Sequence, residues 1–512
     1  MEITLELARQ KAGELGKPKT FGQFIGGEWI AGDSGKTIAL ENPATRQLVG
    51  YIQDGNATDV NRAVEAAAAA FPKWALSAPA QRQNILRALA QRIRERHFDY
   101  ALLESLNNGK PITDAFTHDI VGAMGHFEFF AGAAFYPHGS TADFADATML
   151  VHREPIGVAA QIIPWNVPLL MAAFKLAPAL AAGCTVVLKP AEIACLSVMQ
   201  FIEDIADIVP PGVINVITGY GPVIGEPLVT HPKVRKVTFT GSRPTAQKII
   251  GYAAKNVIPQ TMELGGKSAN IVCEDANIDA AAQSAVVTNI FNKGEVCSAG
   301  TRVFVHEKVE DQFLESFRRQ LQAVVQGDPL DPATQLGAMA SKIQYDKVNG
   351  YFDLARDEGV DIPMGGKPAS VTGLEDGLFI EPTIFSGVRN DMRVAQEEIF
   401  GPVTSVIRWN DEAEMLRQAN DTEYGLAGGI WTSNLTRAHR IARGLETGMI
   451  WVNRYYNFKP GMPLGGYKQS GFGREGCLET IDHYTLSKAV VINLEEPHSN
   501  YAVRAPAPNS ES

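Results

Sequence analysis

Cysteine is scarce in this sequence: the five cysteines among 512 residues are Cys184, Cys195, Cys273, Cys297 and Cys477. Their small, odd number argues against a disulfide framework. No Cys-x-x-Cys spacing and no His-x-x-x-His pair occurs, which argues against a zinc site. We therefore expect no metal site and a reducing compartment, namely the cytoplasm.

Uninterrupted apolar runs and an excess of basic residues are also missing. Residues 1–6 lack the basic start of a secretory signal, so none is expected. The most apolar stretch, 167–188, is interrupted by Lys175, Pro178 and Gly183, which favours a buried helix and strand over a membrane span. The net charge of −11 argues against a broad nucleic-acid surface. We expect neither a membrane nor a nucleic acid as a partner.

The remaining composition, 45% apolar and 20% charged, is that of an ordinary globular protein. A chain of 512 residues is long enough for two or three domains with substantial cores. Residues 1–20 form a charged lead-in to which we assign no chemical role. The tail 496–512, with Pro506, Pro508 and several serines, is expected to be disordered.

Strands and helices alternate between residues 157 and 239. The pattern predicts strands over 157–163, 185–189, 213–217 and 236–239, and helices over 168–182 and 197–209. Such alternation indicates a parallel sheet with helices on its faces, in which ligands bind beyond the carboxyl ends of the strands. Polar or glycine-rich loops lie at these ends, at 164–166, 189–192, 219–221 and 240–242. A second alternating block runs from about residue 263 to 460.

Three loop side chains could carry chemistry. Cys297 lies before a predicted strand, Glu263 precedes a Gly-Gly pair, and Glu398 lies in a third loop. A cysteine alone is more often a small buried apolar residue, and a lone glutamate is more often a solvated surface group. The residues by themselves leave both alternatives open.

Seven short motifs stand in the order found in the aldehyde dehydrogenase superfamily, which the chain resembles from about residue 20 to 495. They are Pro164-Trp165-Asn166-Val167-Pro168, Lys189-Pro190-Ala191-Glu192, Phe239-Thr240-Gly241-Ser242, Glu263-Leu264-Gly265-Gly266-Lys267, Gly294-x-x-Cys297, Glu398-Ile399-Phe400-Gly401-Pro402 and Gly465-Gly466-Tyr467-Lys468-x-Ser470-Gly471. Each motif alone is weak, but seven in order at the family's spacing are specific.

The resemblance implies NAD-dependent oxidation of an aldehyde to an acid through a thioester on Cys297. A free thiol has a pKa of about 8.5, so the nucleophile needs activation. The side-chain amide of Asn166 and the backbone N–H of Cys297 are implied to stabilise the oxyanion. Glu263 is implied to activate the water that hydrolyses the thioester, with Lys175 and Glu475 as a proton relay and support.

The resemblance also implies an NAD site. Lys189 contacts the adenosine ribose and Glu192 accepts its hydroxyls, so a 2′-phosphate is repelled and NAD is expected in preference to NADP. Ser242, at a helix start, faces the pyrophosphate. The other implied cofactor residues are Ile162, Ile163, Pro164, Trp165, Asn166, Gly221, Gly225, Phe239, Thr240, Gly241, Leu264, Gly265, Gln344, Lys347, Glu398 and Phe400.

Two residues depart from the family's pattern. Ala246 replaces the usual glycine of the phosphate turn, and its methyl group is expected to push the helix slightly from the strand. Glu295 stands where many relatives have glutamine. It would raise the pKa of the Cys297 thiol if the two side chains faced each other.

By family position, the substrate tunnel is lined by Val167, Met171, Phe174, Val296, Ser298, Phe458 and Leu464. Plain core packing is the alternative for these residues. Arg454 and Lys459 could meet a substrate carboxylate, although a surface position is the more frequent role of such cations. We expect a medium-sized aliphatic or aromatic aldehyde.

The fold implied is α/β: a doubly wound, parallel-sheet NAD-binding domain (21–136 and 155–262), a second α/β catalytic domain (263–475) and a β-arm (137–154 and 476–495). In this family the arm pairs between subunits, so a homodimer or homotetramer is expected. Two alternative functions stay open: transfer of the thioester to coenzyme A, and a non-catalytic binding protein of the same fold. The presence of Glu263 favours hydrolysis over transfer.

Overall fold

A computed structural model describes residues 3–495. The tail expected to be disordered, 496–512, lies outside these residues. Two large sheets, each with helices packed on it, form the body of the described chain. No helix among residues 3–495 is long and apolar enough to cross a membrane.

The first sheet has eight strands and a parallel centre. In spatial order its strands are Gly471–Phe472, Gln260–Glu263, Val234–Thr240, Val158–Ile162, Thr185–Lys189, Ile214–Val216, Gln23–Ile25 and Glu28–Ile30. The five strands from Gln260–Glu263 to Ile214–Val216 are parallel, and the flanking pairings are antiparallel. The carboxyl ends of the parallel strands therefore share one edge.

Helices cover both faces of this sheet, because successive strand residues point to opposite sides. Ala159 and Val186 pack in the core on one face, and Ala160 and Val187 pack in the core on the other. The helices that precede the second sheet are Leu5–Leu15, Ala57–Ala75, Pro79–Glu95, His97–Asn108, Ile112–Asp114, the π-helical turn Ala115–Asp119, Ile120–Ala133, Pro168–Ala182, Leu196–Asp204, Gly221–Thr230 and Arg243–Ala254. The predicted doubly wound arrangement is confirmed.

Helix Pro168–Ala182 is the buried helix of the apolar stretch. Proline suits the first position of this helix, because the backbone N–H that proline lacks would have no partner inside the helix there. Gly183 ends it in the left-handed conformation, with φ of 93° and its N–H bonded to the last turn. The helix carries Lys175 into the core and leads directly into strand Thr185–Lys189.

The second sheet has seven strands, parallel except at one edge. In spatial order they are Asp361–Met364, Thr383–Ser386, Val403–Trp409, Arg302–His306, Ala269–Val272, Ala427–Trp431 and Met449–Val452. Its helices and 3₁₀ turns are Ile278–Ile290, Phe291–Gly294, Glu307–Val309, Glu310–Gln322, Lys342–Asp357, Arg393–Gln396, Glu412–Asn420, Leu435–Gly444 and Lys468–Ser470. Strand Gly471–Phe472 then returns to the first sheet.

Two small sheets complete the described chain. One contains Thr20–Phe21, Leu48–Gln53 and Thr37–Glu41. In the other, Ala147–Pro155 lies between Ser140–Asp143 and Thr485–Asn493, antiparallel to both. The last strand of this sheet begins at Thr485. Just before it, the short helix Glu479–Asp482 packs against helix Pro168–Ala182.

Candidate active site

The edge where the parallel strands of the first sheet end faces the loop that carries Cys297. This loop is shaped by three successive residues with positive φ: Asn292 at 47°, Lys293 at 62° and Gly294 at 71°. A side chain at Gly294 would collide with the backbone of Gly401, so glycine is required there for close approach as well as for φ. The turn places Cys297 half-buried at the start of a buried segment.

The Cys297 thiol lies in an environment that opposes ionisation. Burial raises its pKa to about 12, and the nearby carboxyl groups of Glu398 and Glu263 add to the shift, while backbone amides of Ser298 and Cys297 oppose it. A thiol with this pKa stays protonated at neutral pH. It therefore needs a proton acceptor before it can act as a nucleophile.

Asn166 lies beside the Cys297 loop and is held by its backbone as well as its side chain. Its Nδ2 donates one hydrogen bond, of 3.0 Å, to the backbone oxygen of Glu295. Its own backbone oxygen accepts from Lys110 Nζ at 2.8 Å and from Asn292 Nδ2 at 3.0 Å. One Nδ2 hydrogen is left for another acceptor.

Glu263 ends strand Gln260–Glu263 and is only 4% exposed. Neither of its carboxyl oxygens has a hydrogen-bond partner among residues 3–495. Burial and the charge of Glu475 raise its pKa well above the usual range, against the opposing charges of Lys175 and Arg474. A carboxyl group of this kind is a stronger base than an exposed glutamate once it is ionised.

Lys175 and Glu475 form a buried ion pair 300 residues apart in sequence, with Nζ and Oε1 separated by 2.7 Å. The second carboxyl oxygen of Glu475 has no partner within the described part of the chain. The charges of both residues act on the pKa of Glu263, so the ion pair lies close enough to Glu263 to affect its ionisation.

Three loops at the ends of the other parallel strands surround an open space, here called the cradle. They carry Lys189 and Glu192, Gly221 and Gly225, and Gly241 and Ser242. Lys189 Nζ lies 3.2 Å from Glu192 Oε2. An added methyl group at Gly221 or Gly225 would meet no atom within 4 Å, so space lies next to both glycines. Ser242 directly precedes helix Arg243–Ala254, and its hydroxyl lies 3.0 Å from that of Thr245. Gly241 donates its N–H to the backbone oxygen of Glu263 at 3.1 Å, which connects the loop of Ser242 to the strand that ends at Glu263.

The loop of Glu398 closes this edge from the second domain. Glu398 Oε1 accepts from the N–H of Gly266 at 3.1 Å, and Lys347 lowers the pKa that burial raises. Phe400, with φ of 63°, meets Trp165 edge to face at 5.4 Å. Gln344 donates to the backbone oxygens of Ile399 and Phe400, so its amide holds this loop in place.

The remaining predicted cofactor residues lie around these loops. Ile162, Phe239 and Thr240 belong to strands that end at this edge. The N–H of Ile163 bonds to Lys189 and that of Leu264 to Ser470. A side chain at Gly265 would collide with the Glu398 carboxyl group. Among the described residues no group of three His, Cys, Asp or Glu side chains is arranged to hold a metal ion.

Comparison with known proteins shows to which family the chain belongs. The model of the aldehyde dehydrogenase family matches residues 29–490. The chain belongs to this family. An aldehyde dehydrogenase of Deinococcus radiodurans is 42% identical over 482 residues, which are 93% of each chain, and an acetaldehyde dehydrogenase of Pseudomonas aeruginosa is 43% identical over 94% of this chain and 96% of its own. The prediction of an aldehyde dehydrogenase from the motifs is confirmed.

Solved structures agree. The NAD+ complex of an aldehyde dehydrogenase from Bacillus cereus is 37% identical, with a TM-score of 0.92 over 95% of this chain and 99% of that one. The NAD+ complex of betaine aldehyde dehydrogenase from Staphylococcus aureus is 35% identical, with a TM-score of 0.94 over 96% and 99%. The predicted fold class is thereby confirmed.

The structure shows the contacts of the two residues that depart from the pattern of this aldehyde dehydrogenase family. Glu295 is buried, forms an ion pair of 2.9 Å with Lys293 and accepts from the N–H of Ala340 at 3.1 Å. The carboxyl groups that contribute most to the raised pKa of the Cys297 thiol are those of Glu398 and Glu263. Ala246 is fully buried, and its N–H makes the ordinary first-turn bond to Ser242.

The predicted tunnel residues differ in burial and in the cores against which they pack. Met171 and Phe174 are buried in the core of the first domain, with Val167 at its border. Leu464 packs against this core and also against the cluster of Trp451 and Tyr455. Val296 is half-buried, Ser298 is buried, and Phe458 is 41% exposed. Arg454 and Lys459 are exposed, as in the alternative of plain surface cations.

Sequence reasoning missed three polar side chains at this site. Tyr456 packs against Phe291 with ring centres 5.4 Å apart, and its hydroxyl has no partner within residues 3–495. Asn292 and Lys110 bond to the backbone of Asn166. The Asn-Gly-Lys run at 108–110 and the Asn-Lys-Gly run at 292–294 were visible as turn-forming polar segments, but nothing in their spacing placed them together.

Proposed function

We propose that this aldehyde dehydrogenase uses NAD to oxidise a medium-sized aliphatic or aromatic aldehyde to its carboxylic acid, through a thioester on Cys297 that water hydrolyses. The observation that carries the proposal is one convergence: a thiol, an amide hydrogen left free on Asn166, and a buried carboxyl group, Glu263, without a bound partner. Acyl transfer through a thiol needs a nucleophile, a hydrogen-bond donor for the oxyanion and a base, and these three groups supply one of each.

The residues present fit NAD. The open space at Gly221 and Gly225 and the half-exposed Glu192 give room and an acceptor for an adenosine, and Ser242 offers a helix start to a pyrophosphate. Glu398 and Phe400 lie at the opposite end of the cradle, near the thiol. When bound, NAD accepts the hydride that leaves the aldehyde carbon. Overall, aldehyde, NAD+ and water give acid, NADH and a proton.

The chain's own residues carry the remaining steps. Cys297 adds to the aldehyde carbon through its sulfur, and the thiol proton leaves to solvent water. The Nδ2 of Asn166 and the N–H of Cys297 donate to the oxygen that becomes negative, and a donor of this kind typically contributes about 10²–10³ in rate. Glu263 then takes a proton from water as the water attacks the thioester; the C–S bond breaks, the acid leaves, and the proton passes to the Cys297 sulfur. Burial and Glu475 raise the pKa at which Glu263 can do so, and Lys175 lowers it.

The experiment is a measurement of NADH absorbance over a panel of aldehydes, with the product identified in the presence and absence of coenzyme A. We expect NADH and free acid in both cases. An acyl-CoA product would favour the transfer alternative over hydrolysis.

Two cysteine variants test the covalent step. Cys297→Ser should abolish NADH formation while NAD still binds, and Cys477→Ser, the same change at a buried cysteine without a proposed role, should leave turnover near that of the unchanged protein. Unchanged turnover of Cys297→Ser would contradict the thioester mechanism. A non-catalytic protein would show no NADH with any aldehyde.

A further inference from the structure

The loop of Asn166 and the loop of Cys297 come from distant segments of the chain, and the side chain of Asn292 bonds to both. Asn292 Nδ2 donates to the backbone oxygen of Asn166 at 3.0 Å and to the backbone oxygen of Glu295 at 3.1 Å. The amide of Asn166 donates to the same Glu295 oxygen at 3.0 Å. One hydrogen of the Asn292 amide thus reaches the loop of Asn166, and the other stays in its own loop, on the Glu295 oxygen that the Asn166 amide also contacts.

We propose that Asn292 is a positioning residue, which holds the side-chain amide of Asn166 in the place where it donates to the oxyanion. The inference rests on the proposed function of Asn166. Asn292 does not itself touch the reacting atoms: its hydrogens are both committed to backbone oxygens, and its own Oδ1 has no partner among the described residues.

The surroundings of Asn292 show that it is built into this position. It is 1% exposed and adopts φ of 47°, a conformation that asparagine tolerates better than most residues. Its backbone N–H donates to Asp114 Oδ2 at 3.0 Å. This bond holds the backbone of Asn292 in place, and the two hydrogen bonds of its amide orient the side chain toward Asn166.

A second link runs parallel to the first. Lys293 Nζ donates to the backbone oxygen of Asn108 at 2.9 Å, and Asn108 Nδ2 donates to the backbone oxygen of Trp165 at 2.9 Å. This link reaches the residue before Asn166. Loss of Asn292 should therefore loosen the oxyanion donor without separating the domains.

The loss of rate should depend on Asn166. Asn292→Gly keeps the positive φ but removes the amide, and a misplacement of about 1 Å can cost about 10²-fold in rate. We expect Asn292→Gly to lower kcat/KM by about tenfold to a hundredfold, and Asn166→Ala by about 10²–10³. In the Asn166→Ala background, Asn292→Gly should change kcat/KM by less than about twofold, because it acts only through the missing amide.

Two further measurements separate positioning from folding. The rate at which iodoacetamide alkylates Cys297, at fixed pH, should stay within about twofold in Asn292→Gly, because this amide does not contact the thiol. The first-turnover formation of NADH should slow in proportion to kcat. If Asn292→Gly fails to fold, Asn292→Asp serves instead: it keeps the shape and tolerates the positive φ, but an aspartate carboxylate donates no hydrogen bond.

Asn215→Ala is the matched control. Asn215 is another fully buried asparagine whose amide bridges two backbone oxygens, of Val186 and Gly212, away from the site. Its loss should have the same small effect in both backgrounds. Equal fold-losses for Asn292→Gly in both backgrounds would overturn the inference. If instead Asn166→Ala alone kept the turnover of the unchanged protein, the proposed role of Asn166 would fall first.

Discussion

At the scale of single residues, Glu263 shows how burial sets a chemical role. Because burial and Glu475 raise its pKa, the carboxyl group is protonated at pH values where an exposed glutamate is ionised. Only the ionised form can accept a proton from water. The rate of thioester hydrolysis should therefore rise as pH rises through this raised pKa, and fall toward acid pH.

Steady-state turnover and the first-turnover burst of NADH, measured across pH, check this expectation. Glu263→Gln should retain a burst of about one NADH per site and lose most of the later turnover. Glu475→Gln removes the charge that raises the pKa, so its pH profile should shift toward acid. A profile of Glu475→Gln that coincided with that of the unchanged protein would contradict this account.

Glu192 is the residue on which the choice of cofactor should depend. Its carboxyl group would face a 2′-phosphate, and like charges about 4 Å apart repel by about 4 kcal/mol near a protein surface, less after screening. We expect Glu192→Gln to raise kcat/KM for NADP about tenfold or more and to lower that for NAD. Both are measured from initial rates at several salt concentrations. A preference that Glu192→Gln left unchanged would show that other contacts select the cofactor.

Motifs in the sequence indicated candidate residues for the site, whereas roles that depend on contacts between distant segments could not be predicted from it. The pairing of Lys175 with Glu475 spans 300 residues, so only the family resemblance suggested it. The orientation of Glu295 depends on Lys293 and Ala340, which no spacing rule connects. Asn292 and Tyr456 were missed because their neighbours come from distant segments.

At the scale of elements, the local sequence was a better guide. Strand 185–189 was predicted with the bounds it has, because a β-branched run lies between Gly183 and Pro190. Helix 168–182 was likewise bounded by proline and glycine. The helix predicted over 197–209 instead spans Leu196–Asp204, and residues after it form turns before Pro210.

The turn before Cys297 could not be predicted from the sequence, because its three successive positive φ values depend on contacts with Gly401 and Asp114. Gly294→Ala should be severely disruptive. The left-handed conformation costs a residue with a side chain about 1–2 kcal/mol, and the collision with Gly401 adds to this. We expect a lower Tm and loss of most turnover.

Differential scanning calorimetry and initial rates check the effect of Gly294→Ala. Gly373→Ala is the control, because Gly373 has φ of 80° but open space around an added methyl group. It should cost only the conformational part and leave turnover unchanged. Equal effects of the two variants would show that the packing at Gly401 is unimportant.

At the scale of the whole molecule, the three-stranded sheet of Ser140–Asp143, Ala147–Pro155 and Thr485–Asn493 has a strand at its edge that is unpaired on one side, within the described residues. Strand Thr485–Asn493 pairs on one side with Ala147–Pro155, and within residues 3–495 no strand pairs with its other side. Its side chains Leu486, Val490, Val491 and Ile492 are exposed. Unpaired edges and contiguous apolar side chains are features of surfaces that bind another chain. The domain boundaries and the cytoplasmic location stay predictions.

We expect this edge to bind a second copy of the chain, giving a homodimer or homotetramer. Val491→Lys places a charge on the 60%-exposed side chain in the strand, and it should shift the population toward monomer without unfolding the protein. Light scattering coupled to size-exclusion chromatography measures the mass. Val257→Lys, at an exposed valine in the turn after helix Arg243–Ala254, is the control and should leave the mass unchanged. A monomer from the unchanged chain at micromolar concentration, or an oligomer that Val491→Lys left intact, would show that another surface or none holds the copies together.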